Sequence, residues 1–239
     1  MDHLLNAKFQ FEIRYTYILD FESHYKSILS PYLKLATGME IHGQNTRTEY
    51  LKLLFEEDGF SIDCRWDRIV FVSEGKLNNL KNSQSALNKI FYEIFDKFTA
   101  LSSFGTVTNY VMVANGVKQI EDSNFEDLVE DFTNHYLTEN ALSHFNGTDK
   151  DLGITTNYTR SGIDIAERFG PFNYQEDIER QNLLPFSKDD NSELKSNHGY
   201  MLQVKFYEET GSIDFNKTAN LIEKIADSFE NYNQEVTKL

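Results

Sequence analysis

Apolar and polar side chains alternate with a period of two through residues 48–73, which predicts an antiparallel meander of three strands. Leu51, Leu53 and Phe55 share one face of the first run, opposite Lys52 and Glu56. After Glu57-Asp58-Gly59, Phe60, Ile62, Cys64 and Trp66 alternate with Ser61, Asp63, Arg65 and Asp67. Residues 68–73 form a third, nearly all-apolar run. Asp58-Gly59 suits a tight turn, because glycine reaches positive φ without steric cost.

The same period marks residues 9–19, where Phe9, Phe11, Ile13, Tyr15, Tyr17 and Leu19 line one face. Asp20 follows as a candidate helix cap. Behind it Phe21, Tyr25, Ile28, Leu29, Tyr32 and Leu33 recur at helical spacing, with Pro31 predicting a kink or an early stop. Residues 38–46 read as a polar connection and residues 75–82 as a loop. Asn82 or Ser83 then caps a helix over 83–104, whose stripe is Leu87, Ile90, Phe91, Ile94, Phe95, Phe98 and Leu101. A strand over 106–114 closes the unit.

In the second half, Ser123 and Glu126 have the spacing of a capping box, and Phe125, Leu128, Val129, Phe132 and Tyr136 give that helix a buried side. Residues 154–169 read as a hairpin turning at Arg160-Ser161-Gly162. Residues 170–199, holding Pro171 and Pro185, read as a long insertion of the kind that is functional or mobile. Residues 200–207 alternate again. Asp214 caps a last helix with Thr218, Leu221, Ile222, Ile225, Phe229, Tyr232 and Val236 on one side. No short repeat is present.

The fold class predicted is α+β: an antiparallel meander sheet covered by helices, with a ferredoxin-like βαββαβ unit first and a smaller strand-plus-helix half second. The division expected is 1–118 and 119–239, with one continuous domain as the alternative. In pattern, residues 9–19, 60–66 and 199–239 together resemble a sporadically distributed bacterial family of about this length and of unknown function. That resemblance implies a fold and brings no catalytic residues with it.

Composition narrows the partners. The formal charge is −15, from 38 acids against 23 bases, which argues against a phosphate-tracking surface and allows a basic protein partner or simple solubility. One cysteine excludes an internal disulfide and fits a reducing compartment. With no membrane span or leader in the pattern, a soluble cytoplasmic protein is expected, and the Lys, Asn, Phe and Tyr usage suggests an AT-rich bacterium or phage.

Candidate chemistry is sparse. Cys64 lies in phase with the buried face, where thiols are inert packing. His135, Glu139 and His144 match no established metal spacing, so no metal or other cofactor is expected. The acid pairs Glu56-Glu57-Asp58, Asp189-Asp190 and Glu208-Glu209 read as solvated turns. Phosphate loops are absent. The most unusual stretch is 121–139, with seven acids and no Lys or Arg. Glu126, Asp127, Glu130 and Asp131 cluster away from the apolar stripe, and like charges at i, i+4 weaken a helix. The plain reading of those four is a solvated face; the alternative, a docking face for a basic partner, makes them the candidate partner-binding residues. The function expected is a non-enzymatic protein-binding or assembly component, with a homo-oligomer among the allowed states, that does not contact nucleic acid or membrane directly. The alternatives are a small-molecule or nucleotide-processing enzyme without a recognisable motif, and an acidic DNA mimic.

Overall fold

Phe9, Phe11, Ile13 and Tyr15 are buried on one side of the first strand, β1 (Asn6–Tyr15), and the sheet grows outward from it in both directions. The computed structural model describes residues 6–44, 46, 48–76, 86–120, 123–142, 152–173 and 198–236. The other strands are β2 (Gly38–His42), β3 (Tyr50–Phe55), β4 (Phe60–Cys64), β5 (Arg68–Lys76), β6 (Val107–Gln119), β7 (Ile154–Arg160), β8 (Ile163–Asn173) and β9 (His198–Glu209). Together they make one open antiparallel sheet in the order β2-β3-β4-β5-β1-β6-β9-β8-β7. The helices are α1 (Phe21–Leu29), α2 (Tyr92–Thr99), α3 (Phe125–Tyr136), the single turn α4 (Glu139–Leu142) and α5 (Phe215–Val236). The fold is α+β, with the helices' apolar stripes joining a core on one face of the sheet.

The strand order contains a duplication that the sequence does not display. Outward from the centre, one half reads β1-β5-β4-β3-β2 and the other β6-β9-β8-β7. Each half starts with a central strand, leaves by a helix to the far edge, returns by a meander and ends on a helix. β1 and β6 pair antiparallel at the centre, with Phe11 opposite Met112, as a two-fold relation between the halves requires. The first half carries the additional edge strand β2. Its meander therefore has four strands where the pattern predicts three.

Most predicted registers hold. Phe11, Ile62 and Ile94 are each 0% exposed, which fixes the faces of β1, β4 and α2. All seven stripe residues of α5 are buried. Its first turn is capped as expected, with Asp214 accepting from the N–H groups of Asn216 and Lys217. Helix α5 also joins the halves: Phe215 lies 4.0 Å from Tyr92 of α2, and Tyr232 near its other end lies 6.2 Å from Phe169 of β8. Turns follow their residues, with Gly59 (φ 69°) closing β3–β4 and Ser161-Gly162 (φ 54° and 77°) closing β7–β8. Pro31 ends α1 early by opening the 3-10 turn Ser30–Lys34.

Other expectations are corrected. Residues 38–42 are a short edge strand, whose alternating Met39 and Ile41 stay exposed instead of joining the core. A π turn, Leu87–Phe91, precedes α2, which stops at Thr99, while the expected cap at 82 or 83 lies outside the described residues. Strands β6 and β9 run longer than predicted, and β8 takes in Pro171. Helix α3 is capped by Asn124, whose Oδ1 accepts from Asp127 N–H, so the capping box at Ser123 and Glu126 is one residue out of phase. Asp20 makes no side-chain cap to α1. Its carboxylate instead accepts from Ser103 and pairs with His24.

The largest correction concerns the end of β1. The register shifts between Arg14 and Tyr15, and the strand stops there. Thr16 and Ile18 then bond to Thr106 and Trp66 across the chain ends. β1 keeps its phase through buried Tyr15, and only beyond the strand end is the alternation lost, with Ile18 inward (1% exposed) and Tyr17 (59%) and Leu19 (91%) outside.

Candidate functional site

Helix α3 presents Glu126, Asp127, Glu130 and Asp131 together at the surface. Its other side buries Leu128, Val129 and Phe132 over β8 and β9, with Phe132 against Phe169 at 5.2 Å. The geometry follows from the helical spacing, which puts i, i+1, i+4 and i+5 on one side of the axis. None of the four forms an ion pair among the described residues. Other carboxylates do: Glu12 with Arg14 and Arg68, Asp63 with Arg65, Asp67 with Arg68, and Glu208 with Lys217. Glu126 and Asp127 in the first turn favour the helix dipole, while Glu130 and Asp131 lie beyond its reach.

A second feature lies in the first half. A cavity of about 520 Å³ opens beside the chain leaving β1, walled by Tyr17, Leu19, Phe21 and Trp66 with Glu22 and Glu49. Sequence reasoning assigns Tyr17, Leu19 and Trp66 to buried strand faces. The chain leaves the sheet after Tyr15, which releases the first two, and β4 ends at Cys64, leaving Trp66 half-buried. The rings of Tyr17 and Trp66 lie 4.1 Å apart. Glu49 is 8% exposed and accepts a 2.6 Å hydrogen bond from the hydroxyl of Tyr25, itself fully buried. Burial first, and then the hydrogen bond to Glu49, push the Tyr25 hydroxyl far above its ordinary range, so it remains the donor to a carboxylate. No signal in the sequence flags this place, because period-two alternation carries Tyr17, Leu19 and Trp66 onto buried faces.

The remaining candidates fall into structural roles. Cys64 is 0% exposed, and burial followed by the Asp63 charge pushes its thiol well up, which suits packing. His135 is exposed against Tyr136, Glu139 opens α4, and His144 lies outside the described residues, as do Asp189 and Asp190. Among the described residues no group of three or more His, Cys, Asp or Glu is placed to hold a metal ion. Glu56-Glu57-Asp58 is the β3–β4 turn. Glu208 departs from the solvated reading: it accepts from the hydroxyl of Tyr110 and pairs with Lys217 at 2.6 Å, tying β6 and β9 to α5. Among the described residues no helix is long and apolar enough to cross a membrane.

No family model and no curated protein matches this chain. Among solved structures, Methanococcus jannaschii TBP is similar over 95% of this chain and 99% of its own, at 12% identity and a TM-score of 0.31. A rolling circle replication initiator protein from Geobacillus stearothermophilus is similar over 94% of this chain and 80% of its own, at 9% identity and a TM-score of 0.28. Likenesses this weak say nothing of function or partner.

Proposed function

We propose that the protein is a non-catalytic binding component that engages a basic protein partner through the outer face of α3. The observation that carries this reading is the set of four exposed carboxylates, Glu126, Asp127, Glu130 and Asp131, outside any ion pair among the described residues. In a chain of net charge −15, such an array steers a cationic surface toward α3 and raises the association rate. The effect weakens as salt shortens the screening length, from about 30 Å at 0.01 M to about 8 Å at 0.15 M. A basic subunit of a bacterial or phage assembly in the cytoplasm fits this chemistry. A nucleic-acid-binding protein whose groove accepts the array as it would a phosphate backbone is the second form of the same reading.

The test is reversal of all four to lysine. Each reversal adds two charges, taking the net charge from −15 to −7. The buried stripe is untouched, so far-UV circular dichroism should match wild type. Capture of the basic partner from the native host, measured at about 0.02 M and 0.3 M salt, should fall steeply at low salt and little at high salt. Equal capture by variant and wild type at low salt would refute the proposal.

A further inference from the structure

Among the described residues seven large apolar side chains are exposed, and four of them, Leu33, Leu35, Met39 and Ile41, fall between residues 33 and 41. Leu33 and Leu35 lie on and just after the 3-10 turn, and Met39 and Ile41 follow on β2. β2 ends the sheet, so one row of its N–H and C=O groups has no strand beside it among the described residues. Natural edges are blunted against pairing by lysine, proline or a bulge. β2 has none of these, and its register with β3 is unbroken from Gly38 to His42. The opposite edge, β7, exposes one large apolar side chain, Tyr158, whose hydroxyl donates to Glu167 at 3.0 Å. We infer that β2 pairs antiparallel with β2 of a second copy of this chain, making one continuous sheet across a two-fold axis.

The residues of β2 complement themselves in one register. A two-fold axis normal to the sheet keeps each face on its own side, so it passes through a single residue of the pair. Centred on Glu40 it sets two carboxylates opposite one another, and like charges directly opposite destabilise a pair. Centred on His42 it opposes two imidazoles, and centred on Met39 it leaves Glu40 opposite Gly38. Centred on Ile41 it sets each Glu40 opposite the other copy's His42, with Ile41 against Ile41 and Met39 against Gly43, which has no side chain in the way. Met39 and Ile41 stand on the helix-bearing face, since they oppose the buried Leu53 and Leu51 of β3. Glu40 and His42 contact along their own strand at 2.9 Å, and His42 stacks on Tyr50 with ring centres 4.7 Å apart. The second copy presents the same pair reversed, so acid and imidazole alternate across the axis. Glu40 is opposite Lys52 on its other side, which extends that alternation into β3. The interface is independent of the α3 reading, since α3 packs on β8 and β9 in the other half of the sheet.

Sedimentation equilibrium of the full chain, from about 1 to 200 μM, reads the association directly. A five-residue strand makes a small interface, so a dimer with a dissociation constant of roughly 1–100 μM is expected. Both copies carry −15, so added salt should tighten the dimer, the opposite of its effect on docking at α3. Ile41→Lys should leave a monomer with unchanged circular dichroism, and if it does not fold, exposed Met39→Lys replaces it. His42→Glu opposes two pairs of carboxylates and should weaken the dimer by about tenfold, and adding Glu40→His should restore most of the loss. Cross-linking provides a reading independent of affinity. Cys64 is buried, so an Ile41→Cys variant under mild oxidation should form a disulfide dimer, and a Thr159→Cys variant on the β7 edge should not. A monomer at every concentration, a dimer indifferent to Ile41→Lys, or equal cross-linking from the β7 edge would each overturn the inference. The α3 reversal removes no β2 contact and should keep the dimer, so failure of one reading is separable from failure of the other.

Discussion

Phe11 is the residue on which both halves of the sheet depend, and Phe11→Ala tests that dependence. The side chain is 0% exposed on β1, which pairs with β5 of its own half and with β6 of the other. Its ring lies 5.5 Å from Phe91, 6.3 Å from Tyr92 and 6.1 Å from Tyr110. Truncating a buried phenylalanine costs about 3–5 kcal/mol in lost transfer and cavity energy. Three edge or tilted ring contacts, each about 0.5–1.5 kcal/mol beyond area, place the cost in the upper part of that range. Against a total stability of about 5–15 kcal/mol this is a large fraction. At about 2–4 °C per kcal/mol for a chain of this size, the melting temperature should fall by roughly 8–20 °C. The assay is urea unfolding followed by Trp66 fluorescence, which reads the first half, and by far-UV circular dichroism, which also reads α3 and α5. Both midpoints should drop together with unchanged slope. A loss under about 1.5 kcal/mol, or a shift seen by Trp66 alone, would refute the idea of a shared core centred on β1.

Two further outcomes follow from the same geometry. Asp214→Ala removes the acceptor for two N–H groups of α5 and should cost about 1 kcal/mol by thermal melting, whereas a neutral result would deny the cap a role. Burial pushes Cys64, Tyr15 and Tyr232 well up and raises Tyr92 and Tyr200 to about 12. These groups lose a proton in the unfolded chain at about pH 9–10 while the folded chain keeps it, so stability should fall as pH rises through that window. A urea midpoint that does not drop between pH 8 and pH 10.5 would contradict this.

Periodicity by itself determined the faces of β1, β3 and β4, by alternation, and of α5, by helical spacing, because a buried face leaves one register open to each element. The Asp58-Gly59 and Ser161-Gly162 turns, the early stop at Pro31 and the exposure of the four α3 acids were likewise local matters of φ and helical spacing. The tertiary structure decided the rest. Strand order is a question of which hydrogen-bond edges meet, and no run of residues encodes its partner, so the two-fold repeat about β1 and β6 stayed invisible. Asp20 left its cap because Ser103, distant in sequence, came within reach. Glu208 became a half-buried tie because Tyr110 of β6 and Lys217 of α5 came within its reach. The cavity beside Trp66 exists because β1 ends at Tyr15 and the chain beyond it is held by hydrogen bonds from Thr16 to Thr106 and from Ile18 to Trp66. That departure from the sheet sent Tyr17 and Leu19 outward, against the alternation that carries them.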